Sequence, residues 1–172
     1  MKKVKRVKKV DTPTPPKVET SSFYLNINGR NDRMINSTNP INQTVAPTNN
    51  VIFTTNNFIS NKCNTCCGNI NHNYGSGIFS IVKCGTYRVT FNANVAPTVD
   101  GAITLNITNA GENISGGEMQ TAGTAVGTFE NVSAEVLVKV CPNQTAIITV
   151  KNNTPTNPIT VSQPSLIIER VA

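Results

Sequence analysis

The residues of this chain best suited to chemistry are five cysteines, three of which crowd into CNTCC as Cys63, Cys66 and Cys67, with Cys84 and Cys141 further along. A C-x-x-C step has the spacing that brings two thiolates to one metal ion, and four thiolates make a tetrahedral structural zinc site. The same residues can instead oxidise to disulfides, or stay reduced and fill small apolar gaps. Five is an odd number, so complete internal pairing is impossible, and a four-thiolate site also leaves one over. The vicinal pair Cys66 and Cys67 is awkward for either ordered arrangement. In all three readings the purpose is structural, a staple on a long loop.

Other reactive groups offer less. The single histidine, His72, sits between Asn71 and Asn73 in what reads as a loop. A Ser-His-Asp arrangement would have to be assembled around it, and no G-x-S-x-G elbow is present. Asp100 precedes Gly101 and reads as a turn former, with no sequence-near carboxylate to make an acid/base pair. Gly75 to Gly77 is a bend with no lysine after it, and so not a phosphate loop. The expectation is a protein that is not an enzyme.

Charge is concentrated at one end. The chain opens MKKVKRVKKV, in which Lys2, Lys3, Lys5, Arg6, Lys8 and Lys9 alternate with Val4, Val7 and Val10. Of a formal charge of +6, residues 1–19 carry seven basic and two acidic groups, whereas residues 20–172 carry eight and seven. Pro13, Pro15 and Pro16 then hold the chain extended, so this end reads as an arm followed by a spacer. The arm lacks the apolar core of a secretory signal, and no stretch reaches the ~20 apolar residues of a membrane span. Three valines also make too narrow a stripe for a membrane-surface helix. A nucleic-acid-binding domain should spread Lys and Arg over its folded surface, with aromatics interleaved. Here that attraction is confined to the tail, where it would be salt-dependent and blind to sequence. As a docking arm, the valines would seat in shallow pockets or pair as an edge strand while the cations meet acidic groups on a partner.

The elements that must position these groups read as β-strands. Asn, Thr, Val and Ile dominate, and in GTYRVTFNANVAP the residues Tyr87, Val89, Phe91, Ala93 and Val95 alternate with polar ones. That period of two packs one face and wets the other. Ile103, Leu105 and Ile107 repeat the device, and Phe79, Tyr87, Phe91, Ile103 and Leu105 are the expected core. Further strands are predicted over residues 23–27, 51–55, 77–82, 129–140, 145–150, 159–161 and 165–171, separated by Asn, Gly and Pro turns. Val136, Leu137 and Val138 are consecutive. They read either as a strand buried on both faces, once by another subunit, or as a central strand with one exposed side chain. The expected division is an anchoring arm over 1–20, an extended connector with at most an edge strand over 21–50, and an all-β sandwich over 51–172.

The run GIFSIVKCGTYRVTFNANV, with Phe79, Gly85, Tyr87 and Phe91, resembles the C1q/TNF-like jelly rolls, especially those of bacterial surface proteins and bacteriophage structural proteins. ITLNITNAGENISGGE, with Gly116 and Gly117, is similar to the middle of those domains, and FENVSAEVLVKVCPNQTAIITVKNN with SLIIERV to their last third. The resemblance spans roughly residues 50–172. It implies a ten-strand jelly roll that forms a homotrimer and acts in structure or recognition. It also implies that residues 85–95 and 129–140 are neighbouring antiparallel strands, which would set Cys84 and Cys141 side by side at one end, with the Cys63 to Cys67 loop nearby. No collagen-like stalk is present, and the terminal Phe-rich signature of the eukaryotic members is missing, so a signalling role does not carry over. With the arm, the resemblance points to a virion structural protein: a capsid decoration or head-fibre protein whose arm docks on the major capsid protein or another shell protein at the capsid surface. The alternatives are a receptor-binding or adhesion module on a phage fibre or spore surface, and non-specific nucleic-acid binding through the tail.

Overall fold

A computed structural model describes residues 34–59, 70–123 and 125–172. Its strands are β1 (Met34–Thr38), β2 (Gln43–Val45), β3 (Thr55–Ile59), β4 (Ile70–His72), β5 (Phe79–Ile81), β6 (Gly85–Pro97), β7 (Ile103–Asn109), β8 (Glu112–Thr121), β9 (Glu130–Val140), β10 (Ala146–Asn152) and β11 (Ile159–Arg170). One sheet runs β3-β1-β11-β6-β9, with β2 also paired to β11, and the other runs β4-β5-β10-β7-β8. All neighbours are antiparallel. Two such sheets face to face, with every pairing antiparallel and connections crossing from one sheet to the other, make a jelly-roll sandwich.

The alternation in β6 holds the sandwich together. Tyr87, Val89, Phe91, Ala93 and Val95 are fully buried while Arg88 is exposed. Leu166 and Ile168 of β11 and Val136 and Val138 of β9 extend the same inner face. Phe79, Ile103 and Leu105, on the second sheet, are buried against it. Phe53 binds the layers by edge-on contacts with Phe79 and Phe91, at centroid distances of 5.3 and 6.5 Å.

Several elements depart from the sequence expectation. The sandwich already includes Met34–Thr38 and Gln43–Val45, within the stretch read as a connector, and β1 is paired on both sides, with β3 and β11. Its inner positions are Ile35 and Ser37, and a buried serine hides the period of two. Ser37 is buried because its hydroxyl donates to Asn56 Oδ1. The strand expected over residues 51–55 is instead two isolated bridges, at Asn50 and Phe53. Ile52 finds its partners in a side chain, since Gln43 Oε1 accepts from Ile52 N at 2.8 Å and Gln43 Nε2 donates to Ile52 O at 2.9 Å. The two strands expected over 159–161 and 165–171 are one, β11, with a bulge between Ser162 and Ser165. Pro164 cannot donate to a ladder and is tolerated at such a bulge, where Gln163 takes a left-handed φ of 50°. The predicted strand over 23–27 lies outside the described residues.

Strand β9 is an edge strand of the described sheet and not a central one. Val136 and Val138 point inward, and Leu137, 63 % exposed, stands on the outer face. Among the described residues, only one side of this strand is buried.

Phe91→Ala should cost about 3–5 kcal/mol of unfolding free energy, the range for an aromatic deleted from a packed core. Urea denaturation would show it as a lower midpoint with an unchanged slope.

Candidate functional site

Register assigns each potential site to an end of the sandwich. Met34, Glu169, Arg88 and Leu137 form one row across the large sheet. Met34, the first described residue, therefore lies at the same end of the sandwich as the end of β11. Beyond that row the β6–β9 ladder closes at Gly85↔Val140, and Cys84 and Cys141 are the next residues out. Both thiols are free, Cys84 exposed and Cys141 partly so. The other three cysteines, Cys63, Cys66 and Cys67, lie outside the described residues, as does the arm from Lys2 to Val10. Among the described residues no group of three or more His, Cys, Asp or Glu side chains could hold a metal ion.

The opposite end is reached where Val45, Ile159 and Pro97 share a row. There the β6–β7 and β8–β9 loops are laced together. Asp100 Oδ1 accepts from Val126 N at 3.0 Å, Pro97 O accepts from Gly127 N at 3.1 Å, and Gly123 O accepts from Gly101 N at 3.3 Å. Gly123, at φ +59°, lies so close to Gly101 O that a Cβ there would overlap it. This lacing leaves Val99, Val126 and Phe129 exposed. The Asp100-Gly101 turn signal was legible in the sequence, but its pairing with the distant β8–β9 loop was not.

His72 is in strand β4, not in the loop the sequence suggested. Its ring stacks on Phe79 at 4.1 Å and 10°, and meets Phe53 edge-on. Nε2 lies 3.0 Å from Ser76 O and Nδ1 lies 2.7 Å from Asn56 Oδ1. A ring proton on Nε2 donates to the Ser76 carbonyl and one on Nδ1 to Asn56 Oδ1, the oxygen that also accepts from the Ser37 hydroxyl. Burial against the aromatics pushes the histidine pKa down, with the Ser76 carbonyl pulling weakly the other way. The Ser37, Asn56 and His72 chain thus ties the rims of the two sheets. It is no catalytic triad, because the serine is fully buried and bonded to the amide, not to the imidazole.

The outer face of the large sheet is the remaining broad surface. Arg88 bridges Glu169 at 3.2 Å and Glu135 at 3.8 Å. Beside it Thr90 donates to Glu135, and further along the same ladder Asn131 Nδ2 donates to Asn94 Oδ1. The described residues hold five basic and six acidic side chains, a net −1 that offers no basic face for nucleic acid.

No family model matches the chain, and no curated protein matches it in sequence. Solved structures do match. The globular domain of the zebrafish complement 1qA protein superposes at a TM-score of 0.60, with 10 % identity over 81 % of this chain and 98 % of that one. The Eiger TNF of S. frugiperda gives 0.59 at 11 % identity, covering 82 % and 92 %. Murine APRIL gives 0.57 at 10 %, covering 81 % and 99 %. The fold is a C1q/TNF-like jelly roll. Identity this low establishes the architecture and no more. The jelly roll here has Met34 and the two described cysteines at one end and its laced loops at the other.

The depressed histidine has a consequence for stability. Because the folded state prefers the neutral ring, the contribution is complete above the unfolded-state value of about 6.5 and is lost as the pH falls through it towards the lower folded value. His72→Phe keeps a ring against Phe79 but cannot titrate. Thermal unfolding should show a shallower loss of stability between pH 7 and 5 in the variant than in the wild type.

Proposed function

We propose that the chain is a non-enzymatic structural protein of a virion, a capsid decoration or head-fibre protein. In this reading residues Lys2 to Val10 dock on the major capsid protein or another shell protein, and the jelly roll projects from the capsid surface. The observation that carries it is the separation of charge. The six cations of residues 1–10 are followed by a proline spacer and then by a sandwich that is close to neutral. Attraction thus belongs to the arm, and the sandwich presents Asn, Thr and a locally neutralised Arg88 cluster. Met34 and the laced loops lie at opposite ends of the described sandwich, and in this reading the arm would anchor the first end and leave the second free.

In the same proposal the jelly roll assembles as a homotrimer, which multiplies weak arm contacts by avidity. The support is Leu137, exposed on an edge strand between Glu135 and Lys139. Burial by a second copy would give the strand the second packed side that its Val-Leu-Val run suggests.

A second reading, a receptor-binding module on a fibre or spore surface, is favoured by Val99, Val126 and Phe129. Three exposed apolar side chains on hydrogen-bonded loops form a pre-organised contact surface. A third, nucleic-acid binding, rests on the arm alone, since the described surface supplies no basic stripe.

Deleting residues 1–19 should leave a folded trimer that no longer joins its particle, read by co-sedimentation with particles lacking the protein. Retained attachment would overturn the anchor, and loss of host adsorption with normal particle assembly would favour the receptor reading. In light scattering, Leu137→Glu should shift the trimer to monomer while the β circular dichroism persists. A wild-type chain that is monomeric at micromolar concentration would overturn the assembly.

A further inference from the structure

The residues beyond the β6–β9 ladder have a geometry of their own. Val136, Val138 and Val140 point into the core, so the period of two assigns Cys141 to the outer face along with Leu137 and Lys139. Tyr87 and Val89 point inward on β6, which assigns Cys84 to the same outer face as Thr86 and Arg88. The exposure of both thiols agrees.

The hydrogen-bonding phase can also be read. Thr86 N donates to Ala172 O and Thr86 O accepts from Val171 N, both at 2.8 Å, so the backbone groups of Thr86 face β11 and not β9. Because neighbouring residues alternate, Gly85↔Val140 is a hydrogen-bonded pair. The step beyond it, Cys84 with Cys141, therefore falls in a non-hydrogen-bonded position, where opposed Cα atoms approach to about 4.5 Å. Disulfides span Cα separations of roughly 4.4–6.8 Å.

The flanks of both cysteines are held. Tyr87 Oη donates to Lys83 O at 2.9 Å, just before Cys84, and Cys141 O accepts from Gln144 N at 3.1 Å in the turn that follows β9. Between the first of these and the ladder stands Gly85 at φ +152°, where a Cβ would fall 2.5 Å from Arg170 Nε and 2.7 Å from Ala172 O. The chain terminus thus fixes how the backbone leaves Cys84.

We propose that Cys84 and Cys141 form a redox pair that closes into a cross-strand disulfide at the base of the β6–β9 ladder. The oxidant is a small-molecule disulfide such as oxidised glutathione. One thiolate attacks it to give a mixed disulfide and release one glutathione thiolate. The second cysteine thiolate then attacks the protein sulfur and releases the other. The two thiols lose two protons and two electrons, and the oxidant becomes two molecules of glutathione. A reducing cytoplasm keeps the pair open, and an oxidising exterior closes it. Closing it pins edge strand β9 to the centre of its sheet. The inference does not depend on the virion reading.

The test uses the full chain, reduced and then equilibrated with oxidised glutathione, followed by alkylation and peptide mass mapping. The expected product joins the Cys84 and Cys141 peptides, with two hydrogens lost. It should form equally in a Cys63→Ser, Cys66→Ser, Cys67→Ser variant and be missing in Cys84→Ser. In the triple variant oxidation should raise Tm by roughly 5–10 °C. If the triple variant does not fold, the wild-type map decides alone. Free alkylation of Cys84 and Cys141 under conditions that pair the other cysteines would overturn the proposal, as would their joining Cys63, Cys66 or Cys67 instead.

Discussion

The ladder that β6 makes with β11 on one side and β9 on the other constrains the rest of the molecule. It is the longest pairing in the sandwich, running with one bulge from Tyr87↔Arg170 to Pro97↔Ile159 and without interruption from Gly85↔Val140 to Val95↔Glu130. A slip of one residue would turn Tyr87, Val89 and Phe91 to solvent and bring Arg88 into the core. The hydrophobic cost of that exchange fixes the register, and the register fixes everything at the two ends. It sets Gly85 opposite Val140, one step short of Cys84 and Cys141, brings the β6–β7 loop beside the β8–β9 loop, and leaves Leu137 outside.

The same ladder separates structure from contact. The inner face spends Phe53, Phe79, Tyr87 and Phe91 on packing, while the outer face of β6 carries Thr, Asn and one small ion-pair cluster. Exposed ion pairs of this kind contribute little to stability and much to solubility and to the rejection of wrong partners. A sandwich with such a surface has little means of attaching itself to anything by charge. In the proposed function the basic arm supplies that means, which is why the two parts of the chain make one functional proposal together and two different ones apart.

The sequence disclosed the parts of the fold in which burial follows a strict period. β6, β7, β9 and β10 lie within a residue or two of where the alternation of Val, Ile, Phe and Tyr put them, and the C1q/TNF-like jelly roll was recognisable from Phe79, Gly85, Tyr87 and Phe91. What remained hidden was polar. β1 carries Ser37 at an inner position, β3 is TNNFI, and Ile52 is paired by the side chain of Gln43, so none of the three shows an apolar period. The bond partners that make such residues suitable for burial, Asn56 above all, are distant in sequence. His72 was misread as a loop residue for the same reason, since a three-residue strand between asparagines has no pattern of its own. The opposition of Cys84 and Cys141 followed from the family resemblance, and only the hydrogen-bonding phase set by Thr86 made it specific.

The central claim is that residues 1–10 are a docking arm for a protein shell. It is tested most directly by cryo-electron microscopy of the assembled particle, focused on the density around those residues. The expected result is the arm seated against an acidic protein surface, with Val4, Val7 and Val10 in apolar contacts. An arm lying along a nucleic-acid backbone, or a particle in which the jelly roll is held by its own surface and not by the arm, would contradict it.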